Sequence, residues 1–157
     1  MNNSDFDAVL GRVVSGIYIL TAGTGDRATG MLTSWAVQAG FEPPMISVAV
    51  KSGRYVGDWI SQGEPFVLNV VAEKQFDMLK HFGKGFEPGA PAFEGLEVTH
   101  CPRGVPILTT CLGHLQCEPL SHVDSGDHRI FLARVVRGSL HSDADPMVHV
   151  RKSGSGY

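Results

Sequence analysis

The feature that most limits the fold of this chain is a series of short apolar segments bounded by turn-forming residues. These segments occupy residues 17–21, 28–35, 45–50, 66–71, 112–121 and 128–139. The chain holds 19 glycines and 9 prolines, many of which stand between the segments. Short apolar runs separated by such turns are typical of strands, so we predict a mainly β domain with short helices.

Helical spacing is confined to a few places. Apolar residues recur at helical intervals from Phe6 to Val13, which predicts a first helix that ends at Gly16. Residues 54–61 and 75–82 show weaker patterns of the same kind. Residues 83–95 are rich in glycine and proline, lack any periodicity and predict a long loop.

Composition excludes several classes of protein. With 43% hydrophobic and 18% charged residues, the chain is neither disordered nor a coiled coil, and we expect residues 1–157 to form one domain. A net charge of −3 with scattered basic residues argues against nucleic-acid binding, and no apolar run is long enough for a membrane span. Three cysteines without a CxxC motif predict free thiols and a cytoplasmic location.

Common catalytic motifs are missing. The glycines near residue 25 do not have dinucleotide-fingerprint spacing, and neither a phosphate-binding GxxxxGK[ST] loop nor a GxSxG nucleophile motif occurs. The seven histidines show no HxH or HExxH spacing. We therefore expect no metal site, with three histidines brought together across strands as the alternative.

Hydroxyl and cationic side chains cluster at the ends of two successive predicted strands. Thr33 and Ser34 end one strand, and Lys51, Ser52 and Arg54 follow the next. Hydroxyls, backbone N–H groups and a guanidinium that converge there would hold a phosphate. The alternative is that these are ordinary surface residues.

Apolar residues precede those hydroxyls on the first strand. Met31, Leu32 and Trp35 would supply the wall that a flat aromatic ring system needs. The two strands together therefore predict a site for a phosphorylated ligand with a planar ring.

Short blocks of sequence stand in a definite order along the chain. They are residues 30–35, 41–44, 66–70, 80–82 and 126–128. In this order they resemble the flavin reductase-like family of FMN-binding split barrels, and the resemblance extends from Val9 to Tyr157. Residues 10–18 and 149–157 resemble, more narrowly, the C-terminal reductase module of cyanobacterial diflavin flavodiiron proteins.

The resemblance implies a six-stranded split β-barrel that forms a homodimer and binds FMN, or in some members FAD, non-covalently. NAD(P)H would be the reductant, and an electron-acceptor protein is a further expected partner. No diiron signature or flavodoxin-like segment occurs in this chain, so chemistry at a metal centre is not implied. Neither nucleic acid nor membrane is expected as a partner.

The resemblance also implies roles for particular residues. Those expected to bind the flavin are Met31, Leu32, Thr33, Ser34, Trp35, Val50, Lys51, Ser52, Arg54, Phe82, Gly83 and Lys84. Of these, Ser52 and Arg54 would bind the phosphate with Lys51, and Lys84 lies where relatives close over the flavin tail. His128 is the expected catalytic residue, facing the nicotinamide.

Two other functions remain open at this point. A protein that binds or stores flavin without catalysis, or an electron-transfer module, would carry the same cluster of residues. A split barrel can also hold a different ligand, such as haem or pyridoxal phosphate, because one fold supports several chemistries.

Overall fold

The computed structural model describes residues 4–156, and most of its regular structure is strand. The α-helices within this range are α1 (Ser4–Leu10), α2 (Tyr55–Ser61) and α3 (Phe76–Phe82). The strands within it are β1 (Ser15–Gly16), β2 (Tyr18–Ala22), β3 (Thr29–Thr33), β4 (Ala36–Gly40), β5 (Met45–Lys51), β6 (Phe66–Val70), β7 (Val98–His100), β8 (Pro106–Leu108), β9 (Gly113–Ser125), β10 (His128–Leu140) and β11 (Val148–His149). A 3-10 helix spans Gly25–Arg27. The prediction of a mainly β fold with short helices is confirmed.

The main sheet closes into a barrel. Within the described residues it has seven antiparallel strands in the order β3-β2-β6-β9-β10-β5-β4. The two edge strands, β3 and β4, are consecutive in the chain and separated only by Ser34 and Trp35. The edges must therefore meet, and β3 and β4 together act as one bent strand of a six-stranded barrel.

The longest hairpin extends further than the sequence indicates. We predict strands at residues 112–121 and 128–139, but β9 continues to Ser125, and Gly126 with φ +60 and Asp127 form the turn. The register between β9 and β10 shifts at Leu132/Ala133 and at Val135/Arg137. Such bulges bend a strand, which lets a long hairpin follow the barrel wall.

The two larger of three apolar clusters among the described residues surround the site elements. One fills the barrel and includes Leu20, Val50, Phe66 and Phe131, all at most 1% exposed. The other lies between the barrel and α3 and includes Ile19, Val71, Leu108 and Phe82. A Cβ atom on Gly30 would lie 2.6 Å from Cε1 of Phe82, so glycine at this position lets α3 approach β3 closely.

The two ends of the described chain pack against each other. The predicted helix to Val13 is too long, because α1 ends at Leu10 and the chain then turns into β1, which pairs with β11. The N–H of Gly154 donates to the carbonyl of Asp7 at 2.8 Å. Val13 therefore lies beyond the end of α1, and its side chain is exposed.

The structure also bears on two expectations from the sequence, the lack of a membrane span and the free thiols. No helix among the described residues is long and apolar enough to cross a membrane. Cys101, Cys111 and Cys117 are buried free thiols, and burial raises the pKa of Cys111 and of Cys117 to about 12. The thiols of Cys111 and Cys117 are therefore protonated and unreactive at neutral pH.

Candidate functional site

Two cavities of opposite character adjoin the predicted site residues. The apolar pocket, of about 780 Å³, is lined by residues that include Val14, Trp35, Val37, Ile130, Met147 and Val148. The basic cleft, of about 290 Å³, is lined by residues that include Met31, Gly53, Arg54, Tyr55, Lys84 and Phe86. Ser34 belongs to the apolar pocket.

The basic cleft forms where two loops meet over β3. Arg54 follows Gly53, whose φ of +87 reverses the chain between β5 and α2. Lys84 follows α3, and Gly85 after it has φ +72. A Cβ atom at Gly85 would lie 3.9 Å from Nη1 of Arg54. Both cationic side chains are exposed, and so is Glu87, which also lines the cleft, so the cleft presents two positive charges and one negative charge to a ligand from solvent.

Tyr55 joins the two walls of this cleft. Its hydroxyl donates to the carbonyl of Phe86 at 2.6 Å and lies 3.2 Å from the hydroxyl of Thr29. The tyrosine therefore fastens the loop after α3 to β3. Sequence reasoning missed this residue, because its partner is 31 positions away and neither residue belongs to a motif.

Ser34 and Trp35 occupy the break between β3 and β4. The Ser34 side chain is 5% exposed, and its hydroxyl has no hydrogen-bond partner among the described residues. The carbonyl of Trp35 accepts a hydrogen bond from the N–H of Ala49 at 2.9 Å. The Arg151 guanidinium lies 5.2 Å from the centroid of the Trp35 ring. Sequence reasoning missed Arg151, which also lines the apolar pocket.

His128 lies beside Trp35 and forms a pair with its preceding residue. The ring centroids of Trp35 and His128 are 4.8 Å apart. Nδ1 of His128 lies 2.7 Å from Oδ1 of Asp127, and this hydrogen bond is the main cause of the lowered pKa of Asp127. The other ring nitrogen, Nε2, is buried without a partner among the described residues.

A strip of contacts connects the two cavities along the end of the barrel. His128 pairs in register with Lys51, and the carbonyl of Asp127 accepts a hydrogen bond from the N–H of Ser52 at 2.9 Å. The N–H of Arg54 donates to the carbonyl of Lys51. The residues predicted at the two strand ends are thus neighbours. Ser34 and Arg54, however, line different cavities and do not face one common cavity.

The remaining predicted residues line neither cavity. Val50 and Phe82 are each 1% exposed, and their side chains belong to the two core clusters. Thr33 is buried, and Leu32 packs against the cluster under α3. Lys51, at the end of β5, and the turn residues Ser52 and Gly83 are exposed beside the cleft. Because the side chains of Val50 and Phe82 are buried in the core, these two residues can contact a ligand only through their backbone atoms.

The histidines do not gather into a metal site in the part of the chain that the structure describes. No three or more histidine, cysteine, aspartate or glutamate side chains form a group that could hold a metal ion there. The nearest approach is a stacked pair, with Nδ1 of His114 lying 3.0 Å from Nε2 of His141.

Comparisons with known protein sequences agree on one family. The family model described as "Flavin reductase like domain" matches residues 10–155. "Putative diflavin flavoprotein A 3" of Nostoc sp. is 40% identical over 156 residues, which cover 98% of this chain and 27% of the relative. "Diflavin flavoprotein A 1" of Synechocystis sp. is 39% identical over 157 residues, with 99% and 27% covered. The chain spans about a quarter of the length of these relatives.

Solved structures share the fold. The styrene monooxygenase flavin reductase SMOB of Pseudomonas putida S12 aligns with a TM-score of 0.77 and 26% identity, covering 94% of this chain and 93% of that one. The NADH:FAD oxidoreductase SgcE6 of Streptomyces globisporus C-1027, in complex with NAD and FAD fragments, aligns with a TM-score of 0.81 and 20% identity. That alignment covers 91% of this chain and 85% of SgcE6.

Proposed function

The chain belongs to the flavin reductase-like domain family, and we propose that it transfers hydride from NAD(P)H to bound FMN. The observation that carries this proposal is the pair of cations in the basic cleft, joined by a strip of contacts to the Trp35–His128 pair. Such a reaction requires a site that binds the cofactor phosphate at one end and holds the two planar rings against each other at the other end.

The basic cleft fits the phosphate end of the cofactor. Arg54 and Lys84 supply positive charge on the two loops that meet at the cleft. Ser52, one residue before Gly53, adds a hydroxyl. At about 290 Å³ the cleft suits a ribityl phosphate better than a complete flavin, so the ring would extend along the strip towards Trp35. The small size of the cleft favours FMN over FAD.

The strip between the cavities fits the ring end. Met31 and Trp35 offer apolar contact, and the buried hydroxyl of Ser34 has no partner among the described residues, so it is available to a polar edge of the ring. We expect Thr33 and Leu32 to act through their backbone atoms. When bound, flavin supplies the hydride-accepting chemistry, while these residues orient the ring and exclude water.

His128 would orient the nicotinamide. Its Nε2 atom is buried without a partner among residues 4–156, beside the indole of Trp35. A buried polar atom without a protein partner is the kind of group that a ligand completes. The histidine holds the coenzyme in place and takes no proton in this proposal.

The apolar pocket would be covered by a second copy of the chain, which makes the functional unit a homodimer. Several exposed apolar residues line this pocket, among them Val13, Val14, Val37 and Val148. Apolar surface of this extent is typical of subunit interfaces. The dimer would enclose Trp35 and bring each ring site close to the partner subunit.

We also propose a cytoplasmic location and a protein as electron acceptor. Buried free thiols suit a reducing compartment. The relatives named diflavin flavoproteins are about four times as long as this chain, so the module is a natural donor to other protein segments.

The test combines flavin titration with rapid kinetics. FMN and FAD are titrated into the purified protein, and anaerobic stopped-flow absorbance then follows flavin reduction by NADH and by NADPH. The double variant Ser52→Ala, Arg54→Ala is expected to weaken FMN binding by about 1.5–3 kcal/mol for each charge-assisted hydrogen bond that it removes. Arg103→Ala, which removes an arginine paired with Glu118 on the surface, is the matched control.

The outcomes separate the proposal from its alternatives. Tight FMN binding with rapid reduction by either coenzyme supports it. FMN binding with reduction no faster than that of free flavin would indicate a binding or storage protein. A protein that binds no flavin would contradict the proposal as a whole.

A further inference from the structure

We propose that Asp127 is a positioning residue that fixes the tautomer of His128. With the ring proton held on Nδ1, Nε2 keeps its lone pair and accepts a hydrogen bond from the carboxamide amino group of a nicotinamide coenzyme. This inference rests on the proposed function and adds to it a reason for selecting the amide form of the coenzyme.

The Asp127–His128 hydrogen bond has a defined direction. Nδ1 and Oδ1 are 2.7 Å apart. An ionised carboxylate only accepts hydrogen bonds, so the proton between the two atoms lies on Nδ1. The hydrogen bond from His128 is also the largest cause that lowers the pKa of Asp127 from its ordinary value of 3.8, which keeps the carboxylate ionised at neutral pH.

The opposite side of the imidazole ring is buried. His128 is 8% exposed, and its Nε2 atom finds no hydrogen-bond partner among residues 4–156. A proton on Nε2 would be a buried donor without an acceptor, which is an unfavourable arrangement. Of the two neutral tautomers, the one with its proton on Nδ1 and its lone pair at Nε2 is therefore favoured.

The imidazole ring cannot readily turn over. The indole of Trp35 packs against it with a centroid distance of 4.8 Å. The Asp127 backbone is held by the hydrogen bond from the N–H of Ser52 to its carbonyl. The backbone of Asp127 and the ring of His128 are thus both held in place. A side chain that orients a ligand requires such support.

A lone pair fixed at this position distinguishes two closely similar coenzymes. The carboxamide of a nicotinamide offers an N–H donor, whereas the carboxylate of a nicotinic acid dinucleotide offers only acceptors. A site that is built to accept a hydrogen bond has a buried acceptor, and this acceptor stays unpaired when a ligand without a donor binds. We expect the protein to prefer reduced nicotinamide adenine dinucleotide over the reduced nicotinic acid analogue by roughly tenfold or more.

The experiment uses Asp127→Asn, because asparagine has the same shape but can donate to or accept from Nδ1 and so no longer fixes the tautomer. Asp127 has an exposed side chain, so the variant is expected to fold. Asp26→Asn, an exposed carboxylate in the 3-10 helix, is the control for the change in charge. Long-range ¹⁵N NMR of histidine-labelled, flavin-free protein reports the tautomer. Kinetics and equilibrium titration with both dinucleotides report the preference.

Support requires two results. Wild type and Asp26→Asn should show His128 protonated on Nδ1, and Asp127→Asn should show a mixture of tautomers. The coenzyme preference should fall roughly tenfold in Asp127→Asn alone, through KM and binding and not through FMN affinity.

Three results would overturn the inference. They are a wild-type His128 protonated on Nε2, an unchanged preference in Asp127→Asn, and a loss confined to FMN affinity. Failure of the proposed function looks different: wild type would oxidise neither coenzyme, whereas the tautomer would still be read from the flavin-free protein.

Discussion

The basic cleft and the apolar pocket lie at the two ends of one strip of contacts, yet they are built in opposite ways. The cleft takes its positive charges, Arg54 and Lys84, from loops next to helices, where side chains reach solvent without desolvation, and Glu87 adds one negative charge. The pocket takes its apolar residues from strands and from both ends of the described chain. The cleft can therefore be completed by a small anion, whereas the pocket needs another apolar surface.

The largest effect is expected at the rim of the apolar pocket. Val148→Asp places a carboxylate in the proposed subunit interface, where burying an unpaired charge is unfavourable by several kcal/mol. We expect the dimer to dissociate, which analytical ultracentrifugation would detect as a halved mass. Phe76→Asp is the control, because Phe76 is 66% exposed, Val148 is 63% exposed, and Phe76 does not line the pocket. A Val148→Asp variant with the mass of a dimer would show that the pocket is not an interface.

Salt is expected to act differently on the two cavities. Raising the ionic strength from roughly 0.01 M to 1 M shortens the Debye length from about 30 Å to about 3 Å, so attraction of a phosphate to Arg54 and Lys84 weakens. We expect FMN affinity to fall several-fold and dimerisation to be maintained, both measured across one salt series. Equal sensitivity of the two equilibria would contradict the assignment of charge to one cavity and apolar contact to the other.

A smaller effect is expected from the hydrogen bond that joins the walls of the cleft. Tyr55→Phe keeps the ring and removes the hydrogen bond to Phe86, which is typically worth about 0.5–1.5 kcal/mol. FMN affinity should fall by up to roughly tenfold, and amide hydrogen exchange should increase in the loop after α3. Thr29→Val, which removes only the second partner of Tyr55, should have a weaker effect. Unchanged exchange in Tyr55→Phe would show that the tyrosine does not hold the loop.

The smallest effect concerns His149, which follows Val148 at the edge of the apolar pocket. Burial is the main cause that lowers the pKa of His149 below 6.5, and the charge of Arg151 is the second. Arg151→Gln should therefore raise the pKa of His149 only part of the way, as measured by NMR titration. Because the folded pKa is depressed, the stability that depends on neutral His149 is present above about pH 6.5 and decreases as the pH falls through the folded pKa. A pKa for His149 that is unchanged in the variant would exclude the charge effect.

Much of the fold could be predicted from local pattern. The main strands and the helices α2 and α3 were expected near their observed bounds, because strand periodicity and turn residues act over a few positions. The exceptions have two different causes. The first helix ends early where α1 packs against the segment around Gly154, a contact between the two ends of the described chain. The strands β4 and β8 were not predicted, although they pair with the neighbouring strands β5 and β7, because β4 is mostly exposed and β8 has only three residues.

The candidate site likewise has some features that local sequence predicted and others that it did not. The residue types at positions 33–35 and 51–54 predicted a site at these strand ends, and the structure makes these segments neighbours. Periodicity could not reveal that Val50 and Phe82 belong to the core, because each occupies a segment next to residues that border the cleft. Tyr55 and Arg151 were missed because their partners are remote in the chain.

By itself, the sequence determined the class of fold, the family and the chemical types gathered at two strand ends, because each depends on short-range order along the chain. Only the tertiary structure decided that Ser34 and Arg54 open into separate cavities, that Tyr55 joins two loops, and that Nε2 of His128 lacks a partner among the described residues. Barrel closure is the physical reason, because it brings together the two edges of the sheet, β3 and β4, and so sets which distant side chains meet.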